Sequence, residues 1–337
     1  MYGAIIHAPG DVRSEQRPDP TILEPTDAVI RVVAACVCGS DLWRYRGISE
    51  VPEPTPIGHE HCGVVTAVGD AVTTVAVGDF VVGGFNPSDG TCSLCLKGAT
   101  ANCLHKQGYD GAQAEQVRIP HADGTLVATP SMPEDDLIPH LLALSDVMCT
   151  GWHAAVSAGV GEGSTVAVVG DGAVGLCAVL AARQLGATTI IAMSRHAPRQ
   201  EVARRFGATH VVAERGEEGV EKVRTLTDGI GADCVLECVG TEDARLQAVA
   251  AVRDGGAIGL VGVPHGELPV DQLFWRNVGL RGGPANCAAY LPELMQKVLD
   301  REIEPGLVFD LELPLSEIGE AYAAMDERRA IKVLVRP

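Results

Sequence analysis

Four stretches of this sequence bring together side chains able to bind a metal, a phosphate or a proton. Cys38-Gly39-Ser40-Asp41 is followed by Gly58-His59-Glu60 and, much later, by Ser145-Asp146. Thiolate sulfur, imidazole nitrogen and carboxylate oxygen all bind zinc, and a site with three protein donors and one open position is the catalytic kind. Each residue alone says little, since a single cysteine is usually a small buried hydrophobe; the combination carries the argument. Cys92, Cys95 and Cys103 form a second set with the C-x-x-C spacing of a closed structural zinc site, and three thiols still need a fourth donor.

The third stretch, Gly170-Asp171-Gly172-Ala173-Val174-Gly175, is a G-x-G-x-x-G that follows the apolar run Val166–Val169 and opens a helical pattern. Glycine there lets the backbone turn tightly and approach a pyrophosphate, which free N–H groups and the helix dipole then stabilise. The fourth is Ile191-Ala192-Met193-Ser194-Arg195-His196, where the next strand should end. A carboxylate at that point would accept from the ribose 2′-hydroxyl of NAD, yet none occurs before Glu201. Ser194 and Arg195, with Arg199 near, instead offer a hydroxyl and guanidinium groups to a 2′-phosphate. The expected coenzyme preference is NADP(H) over NAD(H).

Two kinds of scaffold must position these groups. Up to about residue 130 the apolar runs are short and β-rich, Ala4–Ala8, Ala28–Cys38, Gly63–Gly69 and Gly78–Phe85, with Gly and Pro between them. That texture predicts a β-barrel-like domain with long loops. After about residue 147 strand-like runs (Thr165–Gly170, Thr189–Met193, His210–Ala213, Cys234–Val239, Ala257–Gly262, Val278–Arg281) alternate with helical ones (Val174–Leu185, Pro198–Phe206, Glu217–Thr227, Glu242–Val252). Such alternation specifies βαβ crossovers and a buried parallel sheet. The tail carries a helix over Leu291–Asp300, the run Leu307–Leu313, a helix near Ile318–Asp326 and a last strand, Ile331–Val335.

Composition narrows the function. At roughly 150 residues per domain, 337 residues favour two domains. With 26 basic and 44 acidic residues the net charge is −18, which argues against nucleic acid or an anionic membrane as a partner. The longest uncharged stretches, such as Val147–Gly161, fall short of the roughly 20 apolar residues of a membrane span. The start, Met1-Tyr2-Gly3-Ala4-Ile5-Ile6-His7, does not read as a secretory signal, so a cytoplasmic location is expected. Eleven cysteines in such a chain are better read as buried thiols and metal ligands than as disulfides.

On Cys38-Gly39-Ser40-Asp41, Gly58-His59-Glu60, Val77-Gly78-Asp79, the cysteine loop 92–103, Asp146 with Thr150-Gly151, and the Gly170–Gly175 turn, the chain resembles the zinc-dependent medium-chain alcohol dehydrogenases over essentially its whole length. The resemblance implies an α/β protein: a GroES-like β-barrel-type catalytic domain (1–147, completed by 287–337) and a doubly wound parallel-sheet Rossmann domain (148–286). It implies that Cys38, His59 and Asp146 hold a catalytic zinc, with Glu60 behind it as an alternative carboxylate. Here the third ligand position is Asp146 in place of a cysteine, a pattern associated with relatives acting on secondary alcohols; Cys149, three residues on, is a decoy. Asp41 would accept from the His59 imidazole and fix its tautomer. Ser40 would start the proton relay and Thr150 would lie against the nicotinamide. Many relatives have a relay histidine where this chain has Trp43, and Trp43, Phe85 and Trp152 would wall the substrate pocket. The family's fourth structural ligand, a cysteine three residues before the first of the loop thiols, is replaced by Asp89, so a site of Asp89, Cys92, Cys95 and Cys103 is expected. The remaining cysteines, Cys36, Cys62, Cys149, Cys177, Cys234, Cys238 and Cys287, are assigned to core packing.

The expected activity is hydride transfer between a small alcohol, primary or secondary, and NAD(P), giving an aldehyde or ketone. A zinc-free quinone or enoyl reductase on the same scaffold would share the coenzyme turn but lack the Cys38, His59 and Asp146 set. A non-catalytic zinc-ribbon or nucleotide-sensing protein would need neither the second, open constellation nor this acidic surface. Exposed strand edges such as Val278–Arg281 make a homodimer or homotetramer the expected assembly.

Overall fold

Short β-branched runs punctuated by Gly and Pro pair into antiparallel strands, while the longer apolar alternation of the middle segment winds into parallel βαβ units. The computed structural model describes all 337 residues, and the chain divides into two compact units, Met1–Asp146 with Asn286–Pro337, and Val147–Ala285.

In the first unit a seven-stranded sheet runs in the order Phe309–Pro314, Lys332–Arg336, Ala28–Cys36, His61–Val68, Phe80–Gly83, Leu126–Ala128, with Gln116–Ile119 also paired to Ala28–Cys36. A three-stranded sheet runs in the order Asp11–Gln16, Tyr2–Ala8, Thr55–Pro56. Ile30, Val65, Val81, Val117 and Ile119 form one apolar core, and Ile6, Leu42, Ile57, Tyr322 and Val333 another. Register decides what happens next. Ala35 opposes both His61 and Val335, so the loop after Ala28–Cys36, the loop before His61–Val68 and the C-terminal strand converge at one end of the sheet. Cys38, His59, Glu60 and Lys332 are the residues delivered there.

The second unit is a six-stranded, wholly parallel sheet in the order His210–Val212, Thr189–Met193, Thr165–Val169, Ala232–Glu237, Val252–Leu260, Gly279–Gly282. Numbered along the chain this is 3-2-1-4-5-6, the doubly wound Rossmann order. Thr165–Val169 and Thr189–Met193 are buried on both faces after their first residue. Ala167, Val169, Ile191, Val235 and Ile258 pack there with Val223 and Val249 from the helices.

Several elements differ from the sequence expectation. Asp11–Gln16 is a strand although Val12 is its one buried side chain; its ladder with Tyr2–Ala8 supplies what hydrophobicity does not. Helix Cys287–Leu299 begins four residues before Leu291 and carries Pro292 inside it, because Cys287, Leu291, Leu294, Met295 and Val298 form a buried stripe that outweighs one missing N–H.

Candidate active site and coenzyme turn

Cys38, His59, Glu60 and Asp146 each place a donor atom within 4.8 Å of the others. Asp146 Oδ2 lies 3.5 Å from Cys38 Sγ and 3.4 Å from His59 Nε2. The group closes on Asp146; Cys149 is fully buried in helix Val147–Ser157 and is not a member of it. Three of the donors shift in a single direction, although His59 opposes the shift in Cys38 and Glu60. Burial, with Asp146 beside it, raises Cys38. Burial also raises Glu60, and Lys332 pulls it back only in part. Burial alone would depress His59, yet Asp41 and Cys38 hold it well above its usual value. Every shift takes up positive charge, the demand that a divalent cation would meet. Glu60 Oε2 adds a second sign: it is buried without a hydrogen-bond partner.

Behind these donors runs a buried polar network, of which the sequence announced Asp41 but not Gln113, Tyr322 or Lys332. Asp41 Oδ1 faces His59 Nδ1 at 3.5 Å, while Asp41 Oδ2 accepts from the Cys38 N–H at 3.1 Å and from Gln113 Nε2 at 3.2 Å. Gln113 Nε2 also donates to the Cys36 carbonyl at 3.0 Å, and Tyr322 Oη donates to Gln113 Oε1 at 2.9 Å. On the other side Lys332 Nζ donates to Glu60 Oε1 at 2.7 Å and to the Val37 carbonyl at 3.1 Å, and both side chains of this pair are almost wholly inaccessible. Gly58 is required by this packing: its φ is +101°, and a Cβ there would come within 2.5 Å of the Gln113 side chain.

Ser40 is exposed at the start of the short helix Asp41–Tyr45 and its side chain caps nothing. Trp43 is half-buried on that helix. The Phe85 ring stands edge-on to His59 with centroids 6.1 Å apart. Thr150 and Trp152 are buried on helix Val147–Ser157, in the second unit.

Asp89, Cys92, Cys95 and Cys103 also bring their donor atoms within 4.8 Å of one another. Backbone N–H groups point at the sulfurs: Leu104 N donates to Cys92 Sγ at 3.5 Å, and Asp89 N and His105 N each donate to Cys103 Sγ at 3.4 Å. The Leu104 N–H is the main reason Cys92 is drawn down to about 7. Burial works against ionised Asp89, but the Cys92 N–H and the His105 ring, 2.5 Å from Oδ2, hold its carboxyl far below the usual range. His105 is the residue that sequence reading missed here. All eleven cysteines are free thiols, and of the seven assigned to packing all but Cys238 are buried.

Gly170 turns with φ +116°, and a Cβ on Gly175 would fall 2.0 Å from the Gly170 carbonyl, so strand and helix pack too closely for any other residue. Gly172 is different, since a Cβ there would meet nothing. Packing therefore does not account for glycine at 172, whereas close approach of a ligand does. Ala173, Val174 and Gly175 open a 12-residue helix, Ala173–Gln184, whose first turn receives no side-chain cap; those N–H groups and the dipole suit a pyrophosphate. At the end of Thr189–Met193 Arg195 is exposed, while Ser194 is buried. The expectation that no acidic residue stands there needs correcting: Asp171, in the turn itself, accepts from Ser194 Oγ at 2.9 Å and lies 3.3 Å from Arg199 Nη1. Counting carboxylates along the second strand missed one folded in from the first turn.

Comparison with known proteins identifies the family. Residues 24–131 match the alcohol dehydrogenase GroES-like domain and residues 173–300 the zinc-binding dehydrogenase domain. Over 350 aligned residues the chain is 33% identical to zinc-type alcohol dehydrogenase B of Aspergillus flavus, covering 100% of this chain and 81% of that protein. It is 30% identical to an alcohol dehydrogenase of Cupriavidus necator, covering 100% and 99%. Among solved structures, alcohol dehydrogenase TADH from Thermus sp. ATN1 superposes with a TM-score of 0.92 at 31% identity, over 100% of this chain and 99% of that one. With whole-length relatives above a fold this specific, the chain belongs to the zinc-dependent medium-chain alcohol dehydrogenase family and is an alcohol oxidoreductase.

Proposed function

We propose that the chain transfers hydride between a small primary or secondary alcohol and a nicotinamide dinucleotide, with NADP(H) preferred, zinc held by Cys38, His59 and Asp146, and Glu60 in reserve. The observation that carries the reading is the convergence of these four donors around a shared excess of negative charge. When bound, zinc supplies Lewis acidity toward the alcohol or carbonyl oxygen and the nicotinamide supplies the hydride partner. The chain's own residues do the rest. Asp41 faces the His59 Nδ1–H as its acceptor, which fixes the tautomer and leaves the Nε2 lone pair on the Asp146 side of the site. Lys332 pairs with Glu60 in a buried position and offsets part of what burial costs its charged form. The Ser40 hydroxyl, exposed and capping nothing, is assigned to accept the alcohol proton while giving up its own, since Trp43 has no group to relay it. Phe85 stands edge-on to the His59 ring, and Trp43 is assigned as an apolar wall for an alcohol's carbon skeleton. Thr150 is assigned to the nicotinamide. Asp89, Cys92, Cys95 and Cys103 fill four positions and leave none for substrate, which suits a structural zinc. The NADP preference rests on Arg195, a cation exposed at the end of the second strand.

Metal analysis on two variants tests the ligand set, paired with an absorbance assay at the nicotinamide band across primary, secondary, cyclic and polyhydric alcohols. Asp146→Asn should lose the catalytic zinc and turnover, and Cys149→Ser should keep both. The opposite pattern would transfer the third ligand to Cys149.

A further inference from the structure

Asp171 lies between Gly170 and Gly172 and is 8% exposed. Its two carboxylate oxygens are engaged separately: Oδ2 accepts the Ser194 hydroxyl at 2.9 Å, and Oδ1 faces Arg199 Nη1 at 3.3 Å. The same Arg199 nitrogen donates to the Asp171 carbonyl, also at 3.3 Å. A serine hydroxyl has one hydrogen to donate. Given to Asp171, it leaves Ser194 only lone pairs to present to an anion. Arg199, which has the donors for a phosphate, is neutralised by the same carboxylate. Of the three residues suited to a 2′-phosphate, Arg195 alone stays exposed and uncommitted.

We propose that Asp171 is a specificity-determining residue for the coenzyme. Its charge, held inside the glycine turn beside Ser194 and Arg199, limits how tightly a 2′-phosphate binds and leaves a 2′-hydroxyl comparatively unpenalised. A doubly charged phosphate there meets Arg195 and Arg199 but also a fixed carboxylate, so its attraction is that of one net positive charge, not two. The inference rests on the reading that the turn binds a nicotinamide dinucleotide, and it adds a brake to the NADP preference. Replacing Asp171 by asparagine keeps the shape and changes two things. The amide can donate to the Ser194 oxygen, which frees the hydroxyl hydrogen, and Arg199 is released from its ion pair.

The test is calorimetric titration of the full chain and of Asp171→Asn with NADP+, NAD+, adenosine 2′-monophosphate and adenosine 5′-monophosphate, none of which requires turnover. Asp171→Ser serves as a second variant should the asparagine chain fail to fold. The expected result is a gain in NADP+ affinity of about tenfold, equivalent to one hydrogen bond to a charged group, with NAD+ changed less than about threefold. Adenosine 2′-monophosphate should follow NADP+, and the 5′-monophosphate should follow NAD+. A parallel loss for both coenzymes, or no change for either, overturns the proposal by making Asp171 a brace of the turn. A wild-type chain that binds NADP+ no tighter than NAD+ refutes the NADP preference, while a selective gain in Asp171→Asn would still uphold the role of Asp171. A chain that binds neither coenzyme overturns both.

Discussion

Replacing Lys332 by methionine is the sharpest probe of how the donor cluster is held. Lys332 Nζ sits 2.7 Å from Glu60 Oε1, and both side chains are within 1% of complete burial, so water cannot take over the role of either partner. Methionine fills similar volume but leaves Glu60 as an unpaired buried charge and the Val37 carbonyl without its donor. Breaking such a pair costs about 3 to 5 kcal/mol. For a unit of about 200 residues each kcal/mol moves the melting temperature by about 2 to 4 °C, so the expected loss is roughly 6 to 20 °C. Glu60→Gln added to Lys332→Met removes the stranded charge and should recover most of that loss, because replacing both ions is far cheaper than removing one. Calorimetric melting of the wild type, both single variants and the double variant, each with and without added zinc, completes the cycle. Zinc should protect Lys332→Met more than the wild type, since Glu60 Oε2 already lacks a partner and a nearby cation gives the carboxylate a new one. A shift below about 2 °C in Lys332→Met, or a double variant no better than the single, would refute the reasoning, since both follow from the cost of an unpaired ion.

The wild type should carry two zinc ions per chain by elemental analysis, and Cys103→Ala should carry one and melt at a lower temperature; one zinc in the wild type would dispose of the structural site. Arg195→Ala should raise the KM for NADP by about tenfold or more while leaving that for NAD nearly unchanged, from the loss of one charged hydrogen bond; equal changes in the two would remove Arg195 from the 2′-position. Asp27 is fully buried and, although burial opposes its charge, Arg118 at 2.7 Å and the N–H groups of Glu24 and Leu23 hold its carboxyl below the usual range. A depressed folded value stabilises above the unfolded value of about 4 and the benefit is lost as pH falls through the folded one. Arg118→Met should therefore be less stable than wild type by about 3 kcal/mol at neutral pH, with the gap narrowing in urea unfolding at acid pH; an unchanged gap would refute the pairing.

The parallel sheet was legible because its signals are local. Thr165–Val169 and Thr189–Met193 read as continuous apolar runs, each followed by a helix with apolar residues at helical spacing. Asp11–Gln16 was not legible, because a strand that buries only Val12 carries no period-two pattern and is defined by the partner it pairs with. The acidic residue by Ser194 was missed for a related reason. Asp171 is 23 residues away along the chain, and only the parallel register of Thr165–Val169 with Thr189–Met193 brings the two strand ends level.

The two donor clusters extend this contrast from reading to folding. In the cysteine lobe the contacts among the donors span a short loop: Asp89 to His105 is 16 residues and Cys92 to Cys103 is 11. The supporting donors there are backbone N–H groups of the same loop. Closing such loops costs little entropy, so the arrangement of the donors is written in their spacing. The Cys38 cluster is built the other way. Cys38 to Asp146 spans 108 residues, Gln113 to Tyr322 spans 209, and Glu60 to Lys332 spans 272. No spacing rule could have revealed Gln113, 72 residues from Asp41, or Tyr322 and Lys332, which arrive only when the helix Ile318–Asp326 and the strand Lys332–Arg336 have closed on the barrel. The Cys38 cluster is thus braced by side chains from distant parts of the chain, which ties its geometry to a completed barrel.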